Sequence, residues 1–309
     1  MSGLARRAEG YLRLRRMLGH ELAEAARLLP RFVAYLDDIG AEVITVEAAL
    51  AWAQQPQARP GGKVAARRMT VARGFARHMA GIDPRTQVPP LGLLPYRQRW
   101  RPPFIYSDAD IQALMAGVPR VVRSPLRAVT YQTLIGLLAA TGMRVGEALR
   151  LERGQIDWPA GVLTVHASKF GKSREVPLTP GTVRALAAYA RVRDEFLPRS
   201  NTPAFFMSTA GTPVAYSHFG AAFRRIIAAS GVGAGSPVRP RVHDIRHSFA
   251  VHTLAGWYRA GDDVSALLPR LSTYLGHRGP VSTYWYLSAA PELLELAAAR
   301  LQRAQEARP

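Results

Sequence analysis

Four short stretches in the second half of the chain hold the side chains best able to do chemistry. In ATGMRVGEALRL, Arg144 and Glu147 stand three apart, which on a helix sets them side by side, so the carboxylate can orient the guanidinium. HASKFGKSREVPL puts Lys169 and Lys172 in a polar turn between two β-rich runs, with Arg174 just beyond it. RVHDIRHSFAVH places His243 and Arg246 three apart, with His247 next to the arginine. A charged histidine and an arginine repel at that distance, and an anion between them would remove the conflict. Finally, LGHRGPVSTYWYLSA carries His277, Tyr284 and, nine residues after the histidine, Tyr286.

Arginines, histidines, a lysine and a tyrosine without a cluster of carboxylates suit phosphoryl transfer that uses neither metal nor cofactor. Guanidiniums grip the non-bridging oxygens bidentately and stabilise a five-coordinate phosphorus, the job a divalent cation does in carboxylate-based nucleases. A free tyrosine has a pKa near 10, so only about one in a thousand is phenolate at pH 7, and an attacking tyrosine needs a cationic pocket and a base. Each motif also has an ordinary reading. An Arg–Glu pair on a helix is commonly a solvated ion pair, and lysines in a turn commonly serve solubility. His243 and His247 share the spacing of a zinc pair, but no glutamate follows the first histidine and the chain has no cysteine. His247 reads as a buried hydrogen-bonding residue, and either tyrosine could attack.

The charge balance points to a polyanion. The 309 residues include 41 Lys+Arg against 22 Asp+Glu, a formal charge of +19. Residues 1–104 carry 17 basic and 8 acidic residues, and residues 105–309 carry 24 and 14, so both halves are basic. Charge in two folded segments suggests a clamp that neutralises phosphates from more than one side. A hydrophobic content of 48% can fill real cores, and no apolar run reaches the roughly 18 residues of a membrane span. The chain is therefore expected in the cytoplasm, with no membrane partner; the absence of cysteine suits that compartment.

The elements that must position these residues follow from pattern. Residues 1–83 read as an all-helical domain, with Pro30 a break or kink inside its first segment. In AARRMTVARGFARHMAG, Val71, Phe75 and Met79 recur down one face, while Arg67, Arg68, Arg73 and Arg77 flank it and can touch phosphate. Six prolines and four arginines make residues 84–104 an extended basic linker. Ser107 is the expected N-cap of a second domain, 105–309. There a long helix ends at Gly142, a small three-stranded antiparallel sheet turns at Pro159–Gly161 and at SKFGKS, and helices resume through a closing helix at 291–306. The fold class is mainly α with that small sheet.

Taken in order, ATGMRVGEAL, SKFGKSREVPL, HDIRHSFA and LGHRGPVSTYWY resemble the signature boxes of the tyrosine recombinases, the phage integrase family, over roughly residues 105–290. The first domain is similar in kind to that family's SAM-like core-binding DNA-binding domain. The resemblance implies that Arg144 is the family's first arginine and Glu147 its supporting acid. It likewise implies that Lys169 is the hairpin lysine, that His243 and Arg246 form the H-x-x-R box, that His277 belongs to the L-G-H box, and that Tyr286 is the nucleophile. Tyr284 becomes a structural or DNA-contacting aromatic, and Lys172 and Arg174 become candidate DNA contacts. The implied activity is site-specific recombination of double-stranded DNA for integration, excision or resolution, through a 3′-phosphotyrosyl link and a Holliday junction, without ATP. The implied assembly is a homotetramer on two recombination sites, with room for other recombinase subunits, in the cytoplasm at the nucleoid. Rival readings are a type IB-like topoisomerase or telomere resolvase, or a non-catalytic DNA-binding relative. The closing helix either packs on its own domain or inserts into a neighbouring subunit.

Overall fold

In the computed structural model of the chain, the described residues are 2–20, 22–56, 63–94, 102–166, 173–277, 279, 283, 284, 286 and 291–306. They fall into two compact units, Met1–Trp100 and Arg101–Pro309.

The first unit is helical: α1 (Gly3–Met17), α2 (Ala23–Asp38), α3 (Val46–Ala53) and α4 (Lys63–Ala80). Its core gathers Leu29, Phe32, Leu36, Ile44, Trp52, Met69 and Phe75, with Phe32 and Trp52 ring centroids 4.7 Å apart. Pro30 does not end a segment: α2 runs through it, and the chain breaks earlier, between α1 and α2, where Leu22 adopts φ 45°. An interior proline removes one helical hydrogen bond. Burial of Leu28, Leu29, Phe32 and Val33 on either side holds the helix together across it.

The expected linker is also shorter than its prolines suggest. The Gln87 N–H donates to the Ile44 carbonyl, Arg73 donates to the carbonyls of Pro89 and Pro90 at 2.8 Å each, and Leu93 and Leu94 pack on the first core. Residues 84–94 thus belong to the first unit, because proline carbonyls remain strong acceptors and a helix-borne guanidinium uses two of them.

The second unit opens at α5 (Asp108–Val121), where Ser107 and Asp110 form a reciprocal capping box. Next come α6 (Pro125–Thr141) and α7 (Val145–Leu149). Strands β1 (Ile156–Asp157), β2 (Val162–Val165) and β3 (Arg174–Pro177) pair antiparallel in that order, with Val165 opposite Arg174. The loop between β2 and β3 that carries Lys169 and Lys172 lies outside the described residues. Helices α8 (Pro180–Phe196), α9 (Tyr216–Ser230), α10 (Asp244–Ala260), α11 (Val264–Leu275) and α12 (Pro291–Glu306) complete the unit.

Helix α6 is apolar on several sides, burying Leu134, Ile135, Leu137 and Leu138, because α5, α8 and α10 all pack on it. A second cluster joins α10, α11 and α12, with Tyr286 and Leu293 inside it. The closing helix therefore lies on α10 of its own chain.

Gly142 ends α6 at φ 58°, and a β-carbon there would meet the Phe249 ring, at 2.7 Å from Cγ and closer still to Cδ1. Both the left-handed backbone and the ring demand glycine. Gly142→Ala should destabilise the second unit by about 2 kcal/mol or more. Urea unfolding followed by far-UV circular dichroism checks this, and an unchanged midpoint would contradict it.

Candidate active site

The site is built where three chain segments end. Arg144 is the N-cap of α7, immediately after the Gly142 turn. His243 is the N-cap of α10, which puts Arg246 and His247 in its first turn. His277 follows the left-handed Gly276 that ends α11. Two arginines stitch these ends together through backbone carbonyls. Arg246 donates from Nη1 to Gly142 O at 2.8 Å and from Nη2 to Leu275 O at 2.6 Å, while Arg144 Nη2 donates to Gly276 O at 2.9 Å. Each guanidinium has five donors, more than these bonds use, so both can also grip phosphate oxygens.

Glu147 sits between two guanidiniums. Its Oε1 accepts from Arg144 Nη1 at 2.7 Å, its Oε2 accepts from the Arg144 backbone N–H at 2.9 Å, and Arg174 Nη2 donates to Oε2 at 2.7 Å. With the Glu147 side chain only 2% exposed, this is no solvated surface pair. Burial by itself pushes the carboxyl up, but the bonds and charges of Arg174 and then Arg144 outweigh it and hold Glu147 at about 2.

The second pocket wall is aromatic. Tyr286 is 3% exposed, whereas Tyr284 is 53% exposed. The Tyr286 ring lies 5.5 Å from His247 and stacks on His277 at 6.0 Å, and His247 meets His243 edge-on at 4.8 Å. Arg246 also hydrogen bonds to the Tyr286 hydroxyl. His277 Nδ1 pairs with Thr283 Oγ1 at 2.8 Å, and Thr283 is fully buried.

Titration directions follow from this crowding. Burial, then the Arg246 and Arg144 charges, lower His277 to about 4. Burial, then His243, lowers His247 to about 3. The protein around His243 and, next, Arg246 lower its pKa too, yet its ring still opens to solvent. All three are neutral at pH 7 and able to accept a proton. Tyr286 runs against the expectation that the arginines favour its phenolate. Burial raises its pKa further than Arg246 and Arg144 lower it, so the tyrosine is a phenol before substrate arrives.

The structure thus brings Arg144, Glu147, His243, Arg246, His277 and Tyr286 into one pocket and leaves Tyr284 outside it. Lys169 and Lys172 fall outside the described residues. Arg174, named among the candidate DNA contacts, has a side chain only 9% exposed and bonded to Glu147 and to Tyr274 O at 2.8 Å, so its guanidinium lies within the pocket. Its position as the first residue of a strand gave no sign of this. Thr283 was missed as well, since a threonine six residues past a histidine carries no signal of its own.

In the first unit, Arg67 and Arg77 are exposed, Arg67 lying 3.5 Å from Glu24. Arg68 is not a surface cation: it is 8% exposed, 5.8 Å over the Trp52 ring, and donates to Trp52 O at 3.4 Å. Arg73 is committed to the two proline carbonyls.

The model of the phage integrase family matches residues 107–292. The chain belongs to that family. It is a tyrosine recombinase, an enzyme that cleaves and rejoins DNA. A curated relative, "Putative integrase/recombinase y4rB" of Sinorhizobium fredii (strain NBRC 101917 / NGR234), is 42% identical over 315 residues, covering 100% of both chains. Two solved structures share the fold. The Tn1549 transposon integrase in complex with a circular intermediate DNA matches with TM-score 0.64 and 16% identity over 96% of this chain and 99% of that one. A lambda integrase tetramer bound to a Holliday junction matches with TM-score 0.54 and 17% identity over 84% and 71%. Among the described residues no helix of this recombinase is long and apolar enough to cross a membrane.

Glu147→Gln would leave two guanidiniums facing each other beside a neutral amide. At pH 7 it should cost about 3 kcal/mol of stability. Because the folded-state pKa is depressed, the carboxylate's contribution is complete above the ordinary value of 4.5 and fades as pH falls toward about 2. Urea titrations of both proteins across that range should therefore converge in acid, and a constant difference would contradict the assignment.

Proposed function

We propose that this recombinase performs site-specific strand exchange, with Tyr286 as the nucleophile. One observation carries the choice: Tyr286 is buried against His247 and His277 with its hydroxyl on Arg246, while Tyr284 stands 53% exposed. In the reading we favour, Arg144 and Arg246 hold the non-bridging oxygens of the scissile phosphate. Burial and the phosphate's own negative charge both hold the proton on Tyr286 against the pull of the two arginines, so attack needs a proton acceptor, and neutral His243 supplies it. The phenolate oxygen bonds to phosphorus, the bond to the sugar 5′ oxygen breaks, and Lys169 protonates the departing alkoxide. The product is a 3′-phosphotyrosine and a free 5′-hydroxyl, which conserves the phosphodiester bond energy, so rejoining needs no ATP. No metal is required, since the arginines perform the charge stabilisation.

We further infer that the partner is double-stranded DNA bearing specific recombination sites, held by a homotetramer through a Holliday junction. The lambda integrase tetramer on such a junction, which shares the fold, supports this. The basic excess in both halves of the chain supports a two-sided grip on DNA.

Two experiments test this reading. Nicked duplexes carrying a sequence the protein selects from a randomised pool should trap a covalent adduct that Tyr286→Phe abolishes and Tyr284→Phe retains; the opposite pattern would move the nucleophile. Lys169→Ala should slow cleavage of ordinary DNA by about 10²- to 10⁴-fold. A 5′-bridging phosphorothiolate, whose thiolate leaves without a proton, should restore most of that rate, and failure to do so would remove Lys169 from the acid role.

A further inference from the structure

We propose that Arg174 is a positioning residue for strand cleavage, setting the Arg144 guanidinium and the Gly276 turn through its bonds to Glu147 and Tyr274. The inference rests on the pocket reading above. Arg174 makes three contacts that converge on two different segments of the site. Its Nη2 and Nη1 reach Glu147 at 2.7 Å and 3.3 Å, its Nε donates to Tyr274 O at 2.8 Å, and its guanidinium lies against Gly276, where a β-carbon would come within 3.0 Å of Nη1.

Those segments are the ones that aim the cationic groups. Glu147 takes Arg144 by its side chain and by its backbone N–H, so moving the carboxylate moves the arginine. The Tyr274–Gly276 stretch supplies Leu275 O to Arg246 and Gly276 O to Arg144. Arg174 therefore reaches Arg144 through Glu147 and Arg246 through the Tyr274–Leu275 backbone, without being one of the proposed phosphate-binding arginines. Its side chain is 9% exposed and turned onto Glu147 and the Tyr274 carbonyl.

The charge count argues the same way. Arg144, Arg174 and Arg246 less Glu147 leave +2, because the three histidines are neutral. Without Arg174 the pocket would fall to +1, and Glu147 would compete with the phosphate for Arg144 alone. A buried ion pair is a weak stabiliser compared with well-packed apolar side chains, but an apolar pair could not hold two backbone turns and a charge in register. Misplacing a catalytic group by about 1 Å costs about 100-fold in rate.

The test compares the full-length wild type with Arg174→Ala and Arg174→Lys on the same selected, nicked duplex. Single-turnover adduct formation and equilibrium binding are both measured. Arg174→Ala should form the Tyr286 adduct about 100-fold more slowly while its Kd changes by less than about threefold. Its rate should fall off at a higher pH on the acid side than the wild type's, because Glu147 has lost the larger of its two ion pairs. Arg174→Lys keeps the charge but not the forked geometry, and should fall between the two, about 10-fold slower than the wild type. Adduct formation by Arg174→Ala at the wild-type rate overturns the inference, as does a loss of rate matched by an equal loss of binding. Should Arg174→Ala fail to fold, Arg174→Lys decides: unchanged rate and acid limb overturn the inference. A wild type that forms no Tyr286 adduct defeats the pocket reading itself, a result distinct from either.

Discussion

The pocket depends on one buried carboxylate. Glu147 holds the Arg144 side chain, caps the Arg144 backbone and receives Arg174, with distances of 2.7–2.9 Å. Burying a carboxylate is costly unless it is paired and fully hydrogen bonded, and here the pairing wins. The consequence is geometric. The Arg144 guanidinium becomes a fixed donor array that reaches Gly276 O, while Arg246, in the first turn of α10, takes Gly142 O at the end of α6 and Leu275 O at the end of α11, carbonyls that would otherwise be orphans of helix termini.

The same burial that makes those bonds strong keeps Tyr286, the proposed nucleophile, quiet. Tyr286 sits among neutral imidazoles and behind two cations, and the loss of solvent still dominates its titration. A reactive phenolate in the free protein would be exposed to every phosphodiester it met. In the proposed mechanism, a phenol that yields its proton only when phosphate, base and leaving-group acid assemble confines the chemistry to bound DNA. The closing helix shares in this, since Leu293 and Tyr286 lie in one apolar cluster with α10 and α11.

Much of this architecture is legible in the amino-acid sequence because it is local. Ser107 announces a helix N-cap, Gly142 a helix end, and Pro159–Gly161 a turn between strands. The pocket residues were marked by the resemblance of four short segments, in order, to the boxes of a known family; spacing within each segment left Tyr284 and Tyr286 open. What stayed hidden depends on partners far along the chain. Arg68 looks like a surface cation until Trp52 covers it, Arg73 until two proline carbonyls claim it, and Arg174 until Glu147 and Tyr274, 27 and 100 positions away, close around it. At Pro30 the local preference is real, but burial of its neighbours keeps the helix from breaking there.

The account therefore stands on the ionisation of Glu147 in the folded, DNA-free protein. Carbon-13 detection of the Glu147 side-chain carboxyl through an acid titration measures this directly, with Glu147→Gln identifying the resonance. The account predicts a carboxylate that stays ionised well below the ordinary glutamate range and titrates, if the fold survives, near pH 2. A midpoint at or above about 4.3, the value of a glutamate with no partner, would contradict it.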